Sequence, residues 1–225
     1  MKPLIVMIGG WAHPAGALQP LTDAVREFAD PQSVAVHEPL PAPERPAFLL
    51  GWSLGGMFAL REALTTPARW LGLILISSCA RFCAAPDYPH GVAPARVRAM
   101  KAALRKSPAA VLRQFFADAA APHLVPPAAL EGKVRAALAL GPDALAAGLE
   151  SLLALDLRSA AARCEKPTLL LHGRDDRVIP ATAGEWLAGQ LPFSRFTPVA
   201  GCGHDLPDRA PGLLAAEIKG FLETR

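Results

Sequence analysis

The fold is decided by the stretch Gly51-Trp52-Ser53-Leu54-Gly55-Gly56, which follows an apolar, strand-like run at 47–50 and precedes a helix-like run at 57–64. A serine flanked by glycines between a strand and a helix is the nucleophile-elbow pattern. The turn is too tight for side chains at the flanking glycines, and it holds Ser53 exposed above the sheet. The next backbone N–H, from Leu54, is then placed to donate to an oxyanion. The motif predicts a nucleophilic serine if the rest of the chain supplies its partners.

Composition predicts one compact domain, or one domain with an insertion. The chain has 225 residues, of which 52% are hydrophobic and 19% charged, enough for a buried core. The net charge of +3 is mild and the basic residues form no stripe interleaved with aromatic residues, so no nucleic-acid partner is expected. The apolar start at 4–8 is too short for a signal-peptide core and no later run approaches a membrane span, which predicts a cytoplasmic protein outside the membrane. The four cysteines lack C-x-x-C spacing, so we expect reduced thiols and no metal.

Short apolar runs alternate with helix-like patterns, which predicts a mostly parallel sheet of about six strands with helices on both faces. The predicted strands are Leu4–Ile8, Ser33–His37, Ala47–Gly51, Leu71–Ser77, Pro167–Leu171 and Arg195–Val199. The predicted helices between them are Leu18–Phe28, Leu54–Leu64, Ala181–Leu191 and Pro211–Leu222. Residues 38–46 are rich in proline, so we expect an extended crossover there that leaves part of one sheet face thinly covered.

The alternation breaks between 84 and 156, where no strand-like run appears. Ala-, Leu- and Arg-rich segments are separated there by Ser107-Pro108, Pro126-Pro127 and Gly141-Pro142. We expect four short helices that form a cap over the carboxyl edge of the sheet. The predicted organisation is an α/β core at 1–83 and 157–225 with a helical cap at 84–156.

A serine nucleophile needs a base, and the base needs a carboxylate that orients it. After an elbow serine, the acid follows a late strand and the histidine follows a later one. The strand-like run at 169–172 leads into an acidic turn with Asp175 and Asp176, and His204 lies in a glycine-bracketed loop after the last strand. This order predicts a catalytic triad with Ser53, and the choice between the two aspartates is open at this point.

The loop after the first strand should supply the second oxyanion donor. Gly10-Trp11 fits, with the Trp11 N–H as donor and its indole lining the acyl pocket; the alternative is a core tryptophan behind a turn. His172 is expected to satisfy a hydrogen bond at a strand end. The remaining histidines have no comparable context and are expected to be ordinary loop or surface residues: His13, His37, His90 and His123.

Together these motifs resemble the α/β-hydrolase superfamily, and within it the pimeloyl-[acyl-carrier protein] methyl ester esterases of biotin synthesis. The likeness is carried by Gly10-Trp11, by 50–56 and by segments at the start and end of the cap, 77–82 and 148–158. Gly9 stands where that family usually has a histidine, and the helix that usually precedes the elbow strand is missing. The resemblance implies an α/β-hydrolase fold with the cap inserted before the acid-bearing strand.

The resemblance also implies roles for single residues. Ser53 would be the nucleophile, His204 the base and Asp176 its partner, because the family's acid lies three residues after a strand-end glycine. Trp11 and Leu54 would form the oxyanion hole and contact the ester. No cofactor is implied.

An acyl-carrier protein that bears the ester is the partner implied by the resemblance; the alternatives are a general short-chain carboxylesterase or thioesterase, or a non-catalytic binder. Phe115, and with it Phe116, falls where the family places a phenylalanine against the substrate chain; a cap-core aromatic is the alternative. An acidic carrier predicts a basic docking surface. Six cations and no carboxylate lie between 94 and 116: Arg96, Arg98, Lys101, Arg105, Lys106 and Arg113. The alternative is an ordinary solvated helix face. The oligomeric state stays open, with a monomer as the expectation.

Overall fold

Six parallel strands form one sheet in the computed structural model, which describes residues 1–224. The strands are β1 (Leu4–Ile8), β2 (Asp30–Val34), β3 (Ala47–Trp52), β4 (Trp70–Ile76), β5 (Thr168–Gly173) and β6 (Ser194–Val199). Their order across the sheet is β2-β1-β3-β4-β5-β6, and every neighbouring pair is parallel. The predicted α/β architecture is confirmed.

Helices cover both faces of the sheet and its carboxyl edge. In chain order they are α1 (Gln19–Val25), α2 (Leu54–Thr65), α3 (Pro94–Lys106), α4 (Pro108–Ala120), α5 (Pro127–Leu138), α6 (Pro142–Ala154), α7 (Arg158–Ala161), α8 (Ala181–Gln190), α9 (Leu206–Arg209) and α10 (Pro211–Glu223). Each of α3–α6 starts on a proline. The N–H of a first helical residue has no acceptor within the helix, so a proline there costs no hydrogen bond. These prolines mark the four predicted helices of the insertion, which the structure confirms.

The alternation of side chains along β1 shows how the sheet is buried. Ile5 and Met7 pack on one face with α1 and α10, whereas Leu4, Val6 and Ile8 pack on the other face with α2 and α8. A parallel sheet buried on both faces needs this continuous apolar run.

Two predicted boundaries near the amino terminus are wrong. The strand predicted at Ser33–His37 lies at Asp30–Val34. Because β2 is an edge strand that pairs only with β1, it stays half exposed, tolerates Pro31, and has no apolar run to mark its ends. The helix predicted at Leu18–Phe28 is also shorter, since it starts in a 3-10 turn and ends at Val25.

The proline-rich crossover at 38–46 contains no helix, as expected. Val34, Val36 and Leu40 pack beside Phe58 of α2, and a cavity of about 160 Å³ remains among these residues. The sheet face is therefore thinly covered at this point.

The two ends of the insertion meet. Arg81 and Asp156 form an antiparallel bridge and an ion pair, and the Leu157 N–H donates to the Ala80 carbonyl at 2.9 Å. An insertion whose ends are joined in this way leaves the core strands in register. On this ground we propose the division into a core at 1–83 and 157–225 and a cap at 84–156.

Within residues 1–224, no helix by itself has both the length and the apolar composition to cross a bilayer. Only α5 and α6 taken together meet those two criteria, and they are bent by 92° where they join.

The tight packing of the elbow predicts a large effect at Gly51. A Cβ atom there would lie 2.3 Å from the Gly55 carbonyl oxygen and 2.4 Å from the Gly56 Cα, backbone atoms that cannot rotate away. We expect Gly51→Ala to lower the free energy of unfolding by at least the upper end of the ~1–3 kcal/mol typical of overpacking. Gly132→Ala is the control, because a Cβ there meets nothing within 4 Å. The higher helix propensity of alanine should raise its free energy of unfolding by up to about 1 kcal/mol. Chemical denaturation measures both; equal stabilities would contradict the geometry described for the elbow.

Candidate active site

The carboxyl ends of four strands bring the predicted site residues together. Trp11 follows β1, Ser53 follows β3, Asp176 follows β5 and His204 follows β6. The strand order reverses between β1 and β3, and open parallel sheets bind ligands at such a point. The sheet topology alone therefore places Trp11 beside Ser53.

Ser53 adopts a strained backbone conformation, with φ 59° and ψ −124°. Such a conformation costs on the order of 1–3 kcal/mol and persists only where its surroundings fix it. The Ser53 N–H donates to the Ile76 carbonyl at 2.9 Å, and the Ser78 hydroxyl donates to the Ser53 carbonyl at 2.8 Å. A Cβ on Gly55 would lie 2.3 Å from the Gly9 carbonyl oxygen, which confirms the expected tightness of the turn.

His204 bridges Ser53 and Asp176. Its Nε2 lies 2.8 Å from Ser53 Oγ, and its Nδ1 lies 2.8 Å from Asp176 Oδ2. Because a carboxylate only accepts, Nδ1 carries the proton and Nε2 is left to accept the proton of the Ser53 hydroxyl. The neighbouring Asp175 is exposed at the surface, so the geometry chooses Asp176 between the two aspartates.

Asp176 is buried among donors that stabilise its charged form. Its Oδ1 accepts the N–H groups of Val178 and Ile179, both at 2.8 Å. His172 Nε2 lies 3.3 Å from Oδ2 and donates to the Ile179 carbonyl at 2.9 Å, which is the strand-end hydrogen bond expected of it. Burial raises the pKa of Asp176, but the interactions with His204 and His172 outweigh it and hold the pKa below its ordinary value. Among the described residues, no group of three or more His, Cys, Asp or Glu side chains is placed to hold a metal ion.

The backbone of His204 is held from two sides. Its carbonyl accepts the indole N–H of Trp52 at 2.9 Å, and its own N–H donates to the Ala119 carbonyl of α4 at 2.9 Å. The Asp205 N–H reaches the same carbonyl at 3.1 Å. The sequence does not indicate these contacts, because a tryptophan in the elbow does not show what its N–H contacts, and a backbone carbonyl in a helix carries no sequence signal.

Two N–H groups near Ser53 are free to bind an oxyanion. Leu54 is the first residue of α2 and has no intrahelical acceptor, and within residues 1–224 neither its N–H nor that of Trp11 donates a hydrogen bond. The Trp11 loop lies against the elbow, since a Cβ on Gly10 would lie 3.2 Å from Ser53 Cβ. The Trp11 indole, expected to line the acyl pocket, is not among the residues that line the two cavities described below. Its Nε1–H donates to the Leu145 carbonyl of α6 at 2.8 Å, and the ring is buried between core and cap.

An apolar cavity of about 410 Å³ lies between α3 and α4. Its lining includes Phe82, Val97, Met100, Val111, Phe115 and Val178. Phe115 connects it to the oxyanion loop, because its ring packs edge-on against Trp11 with centroids 4.8 Å apart. Phe116 lines a different cavity of about 290 Å³, beside His13 and Lys133. Ser53 lines neither cavity and is only 5% exposed.

Half of the six predicted docking cations have carboxylate partners. Arg96 pairs with Asp118, Lys101 with Glu150 and Arg113 with Glu131. Three cations that are exposed and, among residues 1–224, have no ion-pair partner remain: Arg98, Arg105 and Lys106. The basic surface is therefore smaller than the sequence indicates and lies on α3.

His13 was predicted to be an ordinary loop or surface histidine, and this is wrong. It is buried beside the elbow, where its ring lies 4.2 Å from the Trp52 ring and 5.3 Å from that of Phe116. Desolvation, and then the positive charge of Lys133, lower its pKa from 6.5 to about 3. The only sequence signal was its place two residues after Trp11.

Comparison with known proteins relates the chain to a known family. The sequence model of the alpha/beta hydrolase family matches residues 10–217. The chain is 36% identical over 173 residues to the pimeloyl-[acyl-carrier protein] methyl ester esterase of Aromatoleum aromaticum. The aligned region covers 72% of this chain and 69% of that protein. A protein of the same name from Xanthomonas oryzae pv. oryzae is 29% identical over 223 residues, covering 90% of this chain and 88% of the relative. The biotin biosynthesis bifunctional protein BioHC of Cellvibrio japonicus is 32% identical over 99% of this chain, which spans about half of that protein (48%).

Solved structures share the fold. An esterase from Exiguobacterium antarcticum superposes with a TM-score of 0.86 at 19% identity, covering 98% of this chain and 92% of the other. A bromoperoxidase from Bacillus anthracis superposes with a TM-score of 0.88 at 18% identity, covering 99% and 92%. At these identities the likeness concerns the architecture alone.

Burial of neutral His13 predicts that stability depends on pH. Between pH 6.5 and about 3 the unfolded chain binds a proton that the folded chain does not, so the free energy of unfolding falls as the pH decreases. The slope is about 1.4 kcal/mol per pH unit for one proton. His13→Phe should therefore lose less stability than the wild type over this range, and His37→Phe, at an exposed position, should follow the wild type. Denaturation at several pH values measures this, and parallel curves for all three proteins would disprove it.

Proposed function

Since this chain belongs to the alpha/beta hydrolase family, we propose that it is a serine carboxylesterase that hydrolyses the methyl ester of pimeloyl-acyl-carrier protein in biotin synthesis. The observation that carries the proposal is the hydrogen-bonded series from Ser53 through His204 to Asp176, with both bonds at 2.8 Å. The substrate is taken from the names of relatives that match most of the chain. The free thiols of its cysteines fit a reducing cytoplasm.

The proposed cycle begins when His204 Nε2 removes the hydroxyl proton of Ser53 as Oγ attacks the methyl ester carbonyl. The tetrahedral oxyanion accepts the N–H groups of Leu54 and Trp11. His204 then protonates the departing methoxide, methanol leaves, and water hydrolyses the acyl-enzyme by the same steps. Asp176 stays ionised throughout and stabilises the imidazolium.

The apolar cavity between α3 and α4 is proposed to hold the acyl chain. Its wall at Phe115 leads toward Trp11, and Phe116 supports Phe115 with ring centroids 5.3 Å apart. Because Ser53 is almost fully buried and Phe115 joins this cavity to the Trp11 loop, the chain is proposed to reach the serine past the Phe115 side chain. The substrate would therefore displace that ring as it binds.

A general short-chain carboxylesterase or thioesterase is the second candidate. It is favoured by the pairing of Arg96, Lys101 and Arg113, which reduces the surface open to a carrier. Comparing kcat/KM for methyl pimeloyl-carrier with that for p-nitrophenyl acetate separates the two candidates. A carrier substrate hydrolysed no faster than the small ester would favour the general esterase.

Complementation tests the proposed role in biotin synthesis. A biotin-requiring strain that lacks this esterase activity should grow without biotin when it expresses the wild-type chain. Ser53→Ala should not restore growth, because no other side chain on the elbow can attack the ester. Growth with Ser53→Ala would rule out the role of the serine.

The two neighbouring aspartates give a matched pair of variants. Asp176→Asn should lower kcat by about 10⁴-fold, because the amide favours the wrong imidazole tautomer. Asp175→Asn changes the same functional group on an exposed side chain and should keep kcat within about threefold of the wild type. Steady-state hydrolysis of p-nitrophenyl acetate measures both. If Asp175→Asn lowered kcat more than Asp176→Asn, the acid of the triad would be Asp175 and the present assignment would be wrong.

The free cations of α3 are proposed to dock the acidic carrier. Reversing all three charges (Arg98→Glu, Arg105→Glu and Lys106→Glu) should raise KM for the carrier substrate by about tenfold or more, because like charges repel the partner. Turnover of p-nitrophenyl acetate should not change. Among single charge reversals, Arg105→Glu should raise KM for the carrier substrate. The control is Arg163→Glu, which should leave KM unchanged because Arg163 is exposed away from α3, between α7 and β5. Equal KM values for the carrier substrate in the triple variant and the wild type would remove this surface from the proposal.

A further inference from the structure

His13 makes one polar contact whose direction is fixed. Its Nδ1 lies 2.7 Å from the Trp11 carbonyl oxygen, which can only accept. With its pKa lowered to about 3, the buried ring is neutral at physiological pH and carries a single proton. That proton is on Nδ1, and the bond runs from His13 to Trp11.

The loop that receives this bond is a strained turn with a long closing hydrogen bond. Ala12, between the two bonded residues, has φ 60°, in the left-handed region that residues other than glycine rarely adopt. The backbone bond that closes the turn, from the His13 N–H to the Gly10 carbonyl, is long at 3.4 Å. The side-chain bond of His13 is thus the shorter of these two hydrogen bonds to the backbone of the turn, and the indole of Trp11 is held separately by the Leu145 carbonyl.

His13 is itself fixed by the elbow and the cap. Its ring contacts Trp52, which precedes Ser53, and it lies edge-on to Phe115 and Phe116 of α4 with centroids 6.0 and 5.3 Å away. A Cβ on Gly10 would lie 3.2 Å from Ser53 Cβ and 3.5 Å from His13 Nδ1, so the imidazole, the loop and the nucleophile are in mutual proximity.

We propose that His13 is a positioning residue for the oxyanion hole: its Nδ1–H holds the Trp11 carbonyl and so fixes the loop that carries the Trp11 N–H beside Ser53. The inference rests on the proposed ester hydrolysis and adds a residue to its machinery. His13 touches neither the ester nor the reacting atoms, and it acts through Trp11.

Two variants separate the hydrogen bond from the packing of the ring. His13→Phe keeps an aromatic ring and removes the donor, whereas His13→Asn places an amide N–H near the position of Nδ1. With p-nitrophenyl acetate, we expect His13→Phe to lower kcat by about 10- to 100-fold, up to the effect of losing one oxyanion donor, with KM within about threefold. His13→Asn should recover kcat to within about fivefold of the wild type. Wild-type kcat in His13→Phe, or equal losses in both variants, would overturn the inference.

A second measurement needs no substrate. In ¹⁵N-labelled protein, the Trp11 amide should give one sharp resonance in the wild type and in His13→Asn, and a broadened or doubled one in His13→Phe. An unchanged resonance in His13→Phe refutes the hold on the loop. If the wild type hydrolyses p-nitrophenyl acetate but not the carrier ester, the proposed substrate is wrong, and both tests of His13 can still be made. If it hydrolyses neither ester, the proposed ester hydrolysis is wrong, and the Trp11 amide resonance alone tests whether His13 holds the loop.

Discussion

The backbone of His204 is the point on which the site depends, because its imidazole must join side chains from two different strands. Its carbonyl is held by the Trp52 indole and its N–H by the Ala119 carbonyl. Each such bond contributes about 1 kcal/mol net, but both are buried, so losing a partner would cost the full desolvation of the group left behind. One anchor comes from the strand that carries Ser53 and the other from the cap.

The helices of the insertion therefore also hold the loops of the candidate site in place. Helix α4 holds the His204 loop, and α6 holds the Trp11 indole through the Leu145 carbonyl. Gly148 of α6 leaves room for that indole, since a Cβ there would lie 2.3 Å from Trp11 Cδ1. A cap displaced as one body would pull on both loops that face Ser53. A local rotation of Phe115, whose side chain makes neither of these hydrogen bonds, would leave both anchors in place.

The sequence predicts those parts of the site that local geometry and topology determine. The elbow follows from its glycines, and the chain order of serine, acid and histidine follows from the ends of parallel strands. The position of β2 was missed because an edge strand has no continuous buried run. The burial of His13 was missed because Phe115, Phe116 and Lys133, which surround it, are about a hundred residues further along the chain. No local pattern encodes such an environment.

The ion pairs of α3 and α4 likewise could not be predicted from the local sequence. Six cations lie between 94 and 116 without a carboxylate, yet α5 and α6 fold back and bring Glu131 and Glu150 onto two of them. Exposed pairs of this kind contribute about 0–1 kcal/mol and are screened by salt, so they are easily exchanged. An acidic partner arriving at α3 would meet the three unpaired cations first. It would then compete with Glu131 and Glu150 for Arg113 and Lys101. Because that exchange replaces one screened ion pair by another, the dependence of docking on ionic strength would be set mainly by the three unpaired cations.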